Sequence, residues 1–133
     1  MPGPKKIWGY EVRDAYDSER NYFTQNRKTA GMAADDGRIV LNPYSMLAPQ
    51  QMEAVARNEA ARLYMREKKF NFDFDPTPEQ LHAFRGTPYE NDPFNLKATL
   101  LARALSGDPS AGQLTPRQQQ WVDWLLPQLE GRK

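Results

Sequence analysis

The chain has 133 residues, with 18 Lys and Arg against 17 Asp and Glu, one His and no Cys. That length fits one domain with a modest core, the balanced charge gives no global electrostatic case for nucleic acid or an anionic membrane, and the missing cysteines exclude disulfides, thiol nucleophiles and thiolate metal sites. Mean hydropathy is −0.84, low for a compact domain, so part of the chain is expected to lie extended or to be buried only against a partner.

In chain order, residues 1–37 show weak periodicity. The first six residues hold two prolines, a glycine and two lysines, which build no regular element. Trp8, Tyr10, Tyr16, Tyr22 and Phe23 then scatter among charges. A helix over 11–28 would align Val12, Tyr16 and Phe23, but Glu19 and Arg20 fill the turn between them. The stretch therefore reads as an extended, partner-dependent N-terminal arm, with those five aromatics as partner-binding anchors. Asp36-Gly37 marks a turn, 38–41 a short extended run, and Asn42-Pro43 a second turn.

Residues 49–68 predict a helix. Pro49 suits its first position, Met52, Val55, Ala56, Leu63 and Tyr64 share a stripe, and Lys68 and Lys69 suit its C-terminal end. Asn58 and Glu59 interrupt that stripe. Either both face solvent, or they are buried with partners, for which Asn42 or the backbone around it are candidates. Phe70, Phe72 and Phe74 then alternate along an extended segment. Thr77-Pro78 with Gln80, and Thr115-Pro116 with Gln118, read as capping boxes with proline at the first helical position. Asp92-Pro93 is a third entry of that kind, and Gly86 and Gly107 follow as helix stops. Helices are expected over 78–85, 93–106 and 116–126, the last ended near Pro127. The fold class expected is all-α: a helical body over 38–133 with about four helices, the extended arm, and at most one short strand.

Asp73, Asp75 and Thr77 spell D-x-D-x-T, which resembles the nucleophile motif of haloacid-dehalogenase-type phosphatases. That motif needs the end of a buried parallel strand, whereas here a helix tail and alternating phenylalanines precede it, and no strand–helix alternation is present. Helix capping explains the residues instead. His82 is the single histidine and has no nucleophile motif near it; with Asp73, Asp75 or Glu79 it makes only a weak metal signal. Asp35, Asp36 and Gly37 lack the further ligands of a calcium loop. No Gly-rich phosphate cradle occurs. Arg57, Arg62, Arg66, Lys68 and Lys69 interleave with Glu53, Glu59 and Glu67, which reads as a self-paired solvated face rather than a nucleic-acid strip. No run approaches the roughly 18 apolar residues of a membrane span, and no signal-like apolar stretch opens the sequence, so a soluble protein that is not secreted by a signal-peptide route is expected. No catalytic residue, metal ligand or cofactor is expected. Trp121 and Trp124, spaced i,i+3 beside Val122, Leu125 and Leu126, leave the last helix apolar on most of its circumference and mark it as partner-binding.

Four segments, "GRIVLNPYS", "NEAARLYMR", "GTPYENDP" and "LLARALSGDPSA", resemble small proteins of tailed-bacteriophage and prophage genomes. Those share N-P-Y-S, N-E-x-x-R-L-x-M-R, T-P-Y and A-R-x-L-x-G-D-P-S in this order, over about residues 37–116. The resemblance implies a phage setting and a shared helical fold, and it transfers no catalytic residue. It leads to the expectation of a non-enzymatic virion structural or assembly component that binds other phage structural proteins or copies of itself. Such a protein would be found in the virion, or in the host cytoplasm before assembly. The alternative is a phage-encoded protein that binds and inhibits or redirects a host enzyme.

Overall fold

The computed structural model describes residues 4–133; Met1, Pro2 and Gly3, where the expected arm begins, lie outside the described residues. Two short strands open the described chain, β1 (Lys6–Ile7) and β2 (Tyr10–Arg13), followed by α1 (Asp17–Gln25), β3 (Gly31–Ala33) and β4 (Ile39–Leu41). The helices α2 (Pro49–Lys68), α3 (Pro78–Ala83), α4 (Pro93–Leu105) and α5 (Pro116–Glu130) come next, with a short 3-10 turn at Pro109–Ala111. The strands form one mixed sheet in the order β1-β2-β4-β3. β2 runs parallel to β4, with Val12 opposite Ile39, while the outer pairs are antiparallel. The expectation of an all-α fold with at most one strand and an extended arm is therefore corrected: the described chain is a mix of helices and a four-stranded sheet, and residues 6–13 are part of that sheet.

The sheet escaped the sequence because its strands are two to four residues long, too short for a period of two to register. Local chemistry nevertheless builds them. Trp8 and Gly9 turn the first hairpin with φ of 48° and 83°, and positive φ at both central residues matches the twist of the flanking strands. Tryptophan is an unusual residue there. Arg132 holds it by donating from Nε to the Trp8 carbonyl at 2.9 Å. A Cβ on Gly9 would lie 3.0 Å from the Arg132 Cβ, so this close approach of the C-terminus also requires glycine. The β3–β4 hairpin turns through Asp35, Asp36 and Gly37. The Gly37 N–H donates to the Ala34 carbonyl at 3.1 Å, and Gly37 takes φ 78°.

Consecutive residues of a strand face opposite ways, and both faces of β4 are covered. Ile39 joins the main core with Tyr10, Ala56, Ala60 and Leu63, while Val40 joins Phe23, Ala15 and Ala34 beneath α1. Tyr10 and Phe23 thus serve the chain's own core. Full burial of a residue such as Phe23 contributes roughly 2–3 kcal/mol.

α2 lies between the sheet and α4. Ala56, Ala60 and Ala61 are fully buried, and their small size lets both neighbours come close. Its entry is held by Gln51, whose Oε1 accepts the Ala48 N–H at 2.8 Å, and it stops at Lys69 in the left-handed region. α4 stops as expected at Gly107, where the Asp108 N–H donates to the Arg103 carbonyl and the Gly107 N–H to the Ala104 carbonyl. α5 departs from expectation by running through Pro127 to Glu130. One hydrogen bond is lost at the proline, but Leu125 and Leu129 are fully buried on either side of it. Tyr64 also donates to Gln128 Oε1 at 2.6 Å. Packing therefore outweighs the local break.

Candidate functional site

The seven aromatics expected to bind a partner divide into three groups. Tyr10 and Phe23 are buried, at 4% and 0% exposure, and offer no surface. Trp8 is half-buried against the core. Tyr16 and Tyr22 are exposed on or beside α1. Tyr16 lies over the Arg13 guanidinium at 3.9 Å, and Arg13 in turn makes two hydrogen bonds to Glu19, at 2.8 and 2.9 Å, and one to Asp36 at 2.9 Å.

Trp121 and Trp124 do come together. Their rings meet edge-to-face at 5.5 Å, and Phe70 touches both, at 5.8 and 5.3 Å. Trp124 remains 52% exposed. With Arg117 and Gln120 the two tryptophans line a shallow depression of about 290 Å³. Asp73, the first acid of D-x-D-x-T, underpins this face. It accepts from the Trp121 indole at 2.8 Å and from Arg117 Nε at 3.1 Å and Nη2 at 2.5 Å. The Arg117 hydrogen bonds, then that of Trp121, hold its carboxyl below the ordinary range. Asp73 thus ties the extended segment after α2 to α5. Thr77 does cap α3, accepting from the Gln80 N–H at 3.1 Å.

A larger concavity, about 640 Å³, lies along α2 between residues 28–31 on one side and residues 106–109 on the other. Glu59 lines it with a side chain only 8% exposed. Its nearest cation is Arg62, with Nη1 at 3.7 Å, and among the described residues its carboxylate accepts no hydrogen bond. Burial pushes the Glu59 carboxyl above its ordinary value, against the pull of Arg62 and Arg66. Arg62 donates from Nη2 to the Tyr89 hydroxyl, and Arg103 lies over the Phe84 ring at 4.8 Å. Asn58 and Lys28 also line the cleft.

Of the two sequence alternatives for Glu59, burial holds, but Asn42 is not its partner. The Asn42 amide donates to the carbonyls of Thr29 at 2.8 Å and Arg27 at 3.3 Å, and its Oδ1 accepts the Tyr44 N–H at 2.8 Å. Asn42 thereby braces the loop that forms one wall. Two of the four segments that carry the phage resemblance line this cleft, and the other two touch residues of its walls. The second supplies Asn58, Glu59 and Arg62 and the fourth Arg103, Gly107, Asp108 and Pro109, while Asn42 of the first bonds the Thr29 carbonyl and Tyr89 of the third accepts from Arg62. Sequence reasoning missed Lys28, Glu59, Arg62 and Arg103 as a site; the signal available was the acid breaking an apolar stripe.

Among the described residues no group of three or more His, Cys, Asp or Glu is placed to hold a metal ion, and no helix is long and apolar enough to cross a membrane. The chain matches no protein-family model, no curated protein and no solved structure. The phage resemblance therefore rests on the four segments alone.

Proposed function

We propose that this chain is a non-enzymatic component of a tailed-phage particle or of its assembly, and that it binds a neighbouring subunit through the aromatic face of α5. The observation that carries this reading is Trp124, half-exposed on a face already fixed by Phe70 and Trp121. An aromatic held in place has little side-chain entropy left to lose on docking, and tryptophan is enriched among the residues that dominate interface energetics. Arg117 and Gln120 bound the depression with polar groups, as an interface rim requires. Tyr16 and Tyr22 offer a second exposed pair on the other side of the sheet, under which Phe23 is buried. The four segments shared with phage proteins support the setting. The partner is another structural protein or a further copy of this chain, met in the virion or in the host cytoplasm before assembly. Quantitative mass spectrometry of purified particles is the test. Many copies per particle are expected. Absence from particles, with recovery of the chain on a host enzyme, would replace this reading with that of a host-directed protein.

A further inference from the structure

Glu59 is an expensive residue where it stands. A buried carboxylate ordinarily accepts several hydrogen bonds, because burial strips away its water. Glu59 accepts none among the described residues, and the Arg62 contact at 3.7 Å is an ion pair beyond hydrogen-bond reach. Its side chain is more than nine-tenths buried and lines the 640 Å³ cleft, so the missing donors can arrive from a molecule in the cleft. The other charged lining groups are Lys28, Arg62, Arg103 and Asp108. With Glu59 they make three cations against two acids. Arg62 is occupied by Glu59 and Tyr89, whereas Lys28 and Arg103 take part in no ion pair among the described residues.

We infer that the cleft binds a small molecule with paired N–H donors set against Glu59 and an anionic group that meets the two unpaired lining cations, Lys28 on one wall and Arg103 on the other. A carboxylate with two oxygens favours two parallel N–H bonds. Two sources share this chemistry: a guanine nucleotide, with adjacent ring and amino N–H groups and a phosphate, and an arginine-type amino acid, with a guanidinium and a carboxylate. The cleft volume lies within the roughly 300–1,000 Å³ of small-molecule sites. Leu47, Ala54 and Val55 supply its apolar lining. This site is separate from the α5 aromatic face, and neither depends on the other.

Isothermal titration of the full chain with guanosine monophosphate and with L-arginine tests the inference, with adenosine monophosphate and inorganic phosphate as comparisons. One of the first two should bind, and the one that does names the source. Glu59→Gln should weaken that binding by about tenfold or more, since a charge-assisted bond is replaced by a neutral one. Lys28→Ala, in an exposed loop, should weaken it several-fold with the melting temperature unchanged. The inference is overturned if neither binds at millimolar concentration, if Glu59→Gln binds as tightly as the native chain, or if phosphate alone binds as well.

Discussion

Gln80 and Gln118, 38 residues apart, are hydrogen-bonded to each other twice, Nε2 to Oε1 in both directions, at 2.7 and 2.8 Å. Each also closes its own capping box with the same Oε1, accepting the N–H of Thr77 at 2.8 Å and of Thr115 at 3.0 Å. Two helix starts are thus joined back to back by one amide pair, and both glutamines are buried. Gln118→Ala should cost about 2–3 kcal/mol, because it strips a helix start of its cap bond and leaves the Gln80 Nε2 buried without an acceptor. In a urea-denaturation cycle with Gln80→Ala, a coupling of about 1 kcal/mol or more is expected. Additive losses would show that the pair does not act as a unit.

The N-terminal aromatics should separate by burial, not by residue type. Phe23→Ala is expected to cost about 3–5 kcal/mol, and Tyr22→Ala less than about 1 kcal/mol, both by chemical denaturation. Tyr10 is buried with a hydroxyl that meets no acceptor in good hydrogen-bond geometry, and burial, together with the nearby Glu67 carboxylate, pushes that hydroxyl's pKa upward. Tyr10→Phe should therefore be neutral or stabilising, by up to about 1 kcal/mol. A large loss in Tyr10→Phe would mean that the hydroxyl has a partner after all.

Glu19 and Glu59 should respond to pH in opposite senses. The Arg13 hydrogen bonds hold Glu19 below its ordinary value of 4.5. Its contribution is complete above pH 4.5 and is lost as pH falls through its lowered folded value. The stability advantage of the native chain over Glu19→Gln should shrink on acidification through that range. A constant gap would contradict the pairing.

Glu59 runs the other way. Burial holds its carboxyl above 4.5, so folding favours the protonated form, and stability is lost as pH rises from 4.5 through the raised value. Glu59→Gln should melt higher than the native chain at neutral pH, and the difference should vanish in acid. A lower melting temperature at neutral pH would mean that the Arg62 ion pair outweighs the burial cost.

The helices were legible because their punctuation is local. Thr77, Asp92 and Thr115 before proline, and Gly107 after α4, specify starts and a stop within a few residues. The sheet was not legible, because β2 and β4 are paired across α1 and neither is long enough to show alternation. Burial of Tyr10 and Phe23 follows from that pairing, so it was hidden with it. Pro127 misled for a related reason: the residue signals a stop, and only the buried Leu125 and Leu129 reveal that the helix goes on. In the candidate site, Trp121 and Trp124 could be read from their spacing. The cleft could not, because its walls come from three distant parts of the chain, residues 28–31, the middle of α2, and residues 103–109. Glu59, an acid interrupting an apolar stripe, was the visible trace of it.

Residues 4–37 should behave as part of the fold. In limited trypsin digestion of the monomer, Arg13 should resist cleavage, because its side chain is 11% exposed and bound by Glu19 and Asp36. Cleavage after Arg27 or Lys28, in an exposed turn, should come first. Early loss at Arg13 would indicate a mobile arm.

The most direct measurement for the binding surface is the number of copies of the chain per purified particle, by quantitative mass spectrometry, for the native chain and for Trp124→Ala. Trp124 is half-exposed, so the substitution should leave the melting temperature within a few degrees. The native chain should be present in many copies, and Trp124→Ala should be depleted about tenfold or more, as expected for a tryptophan at the centre of an interface. Equal incorporation of the two, or no incorporation of either, would contradict the proposal that the α5 face docks this protein onto a phage particle.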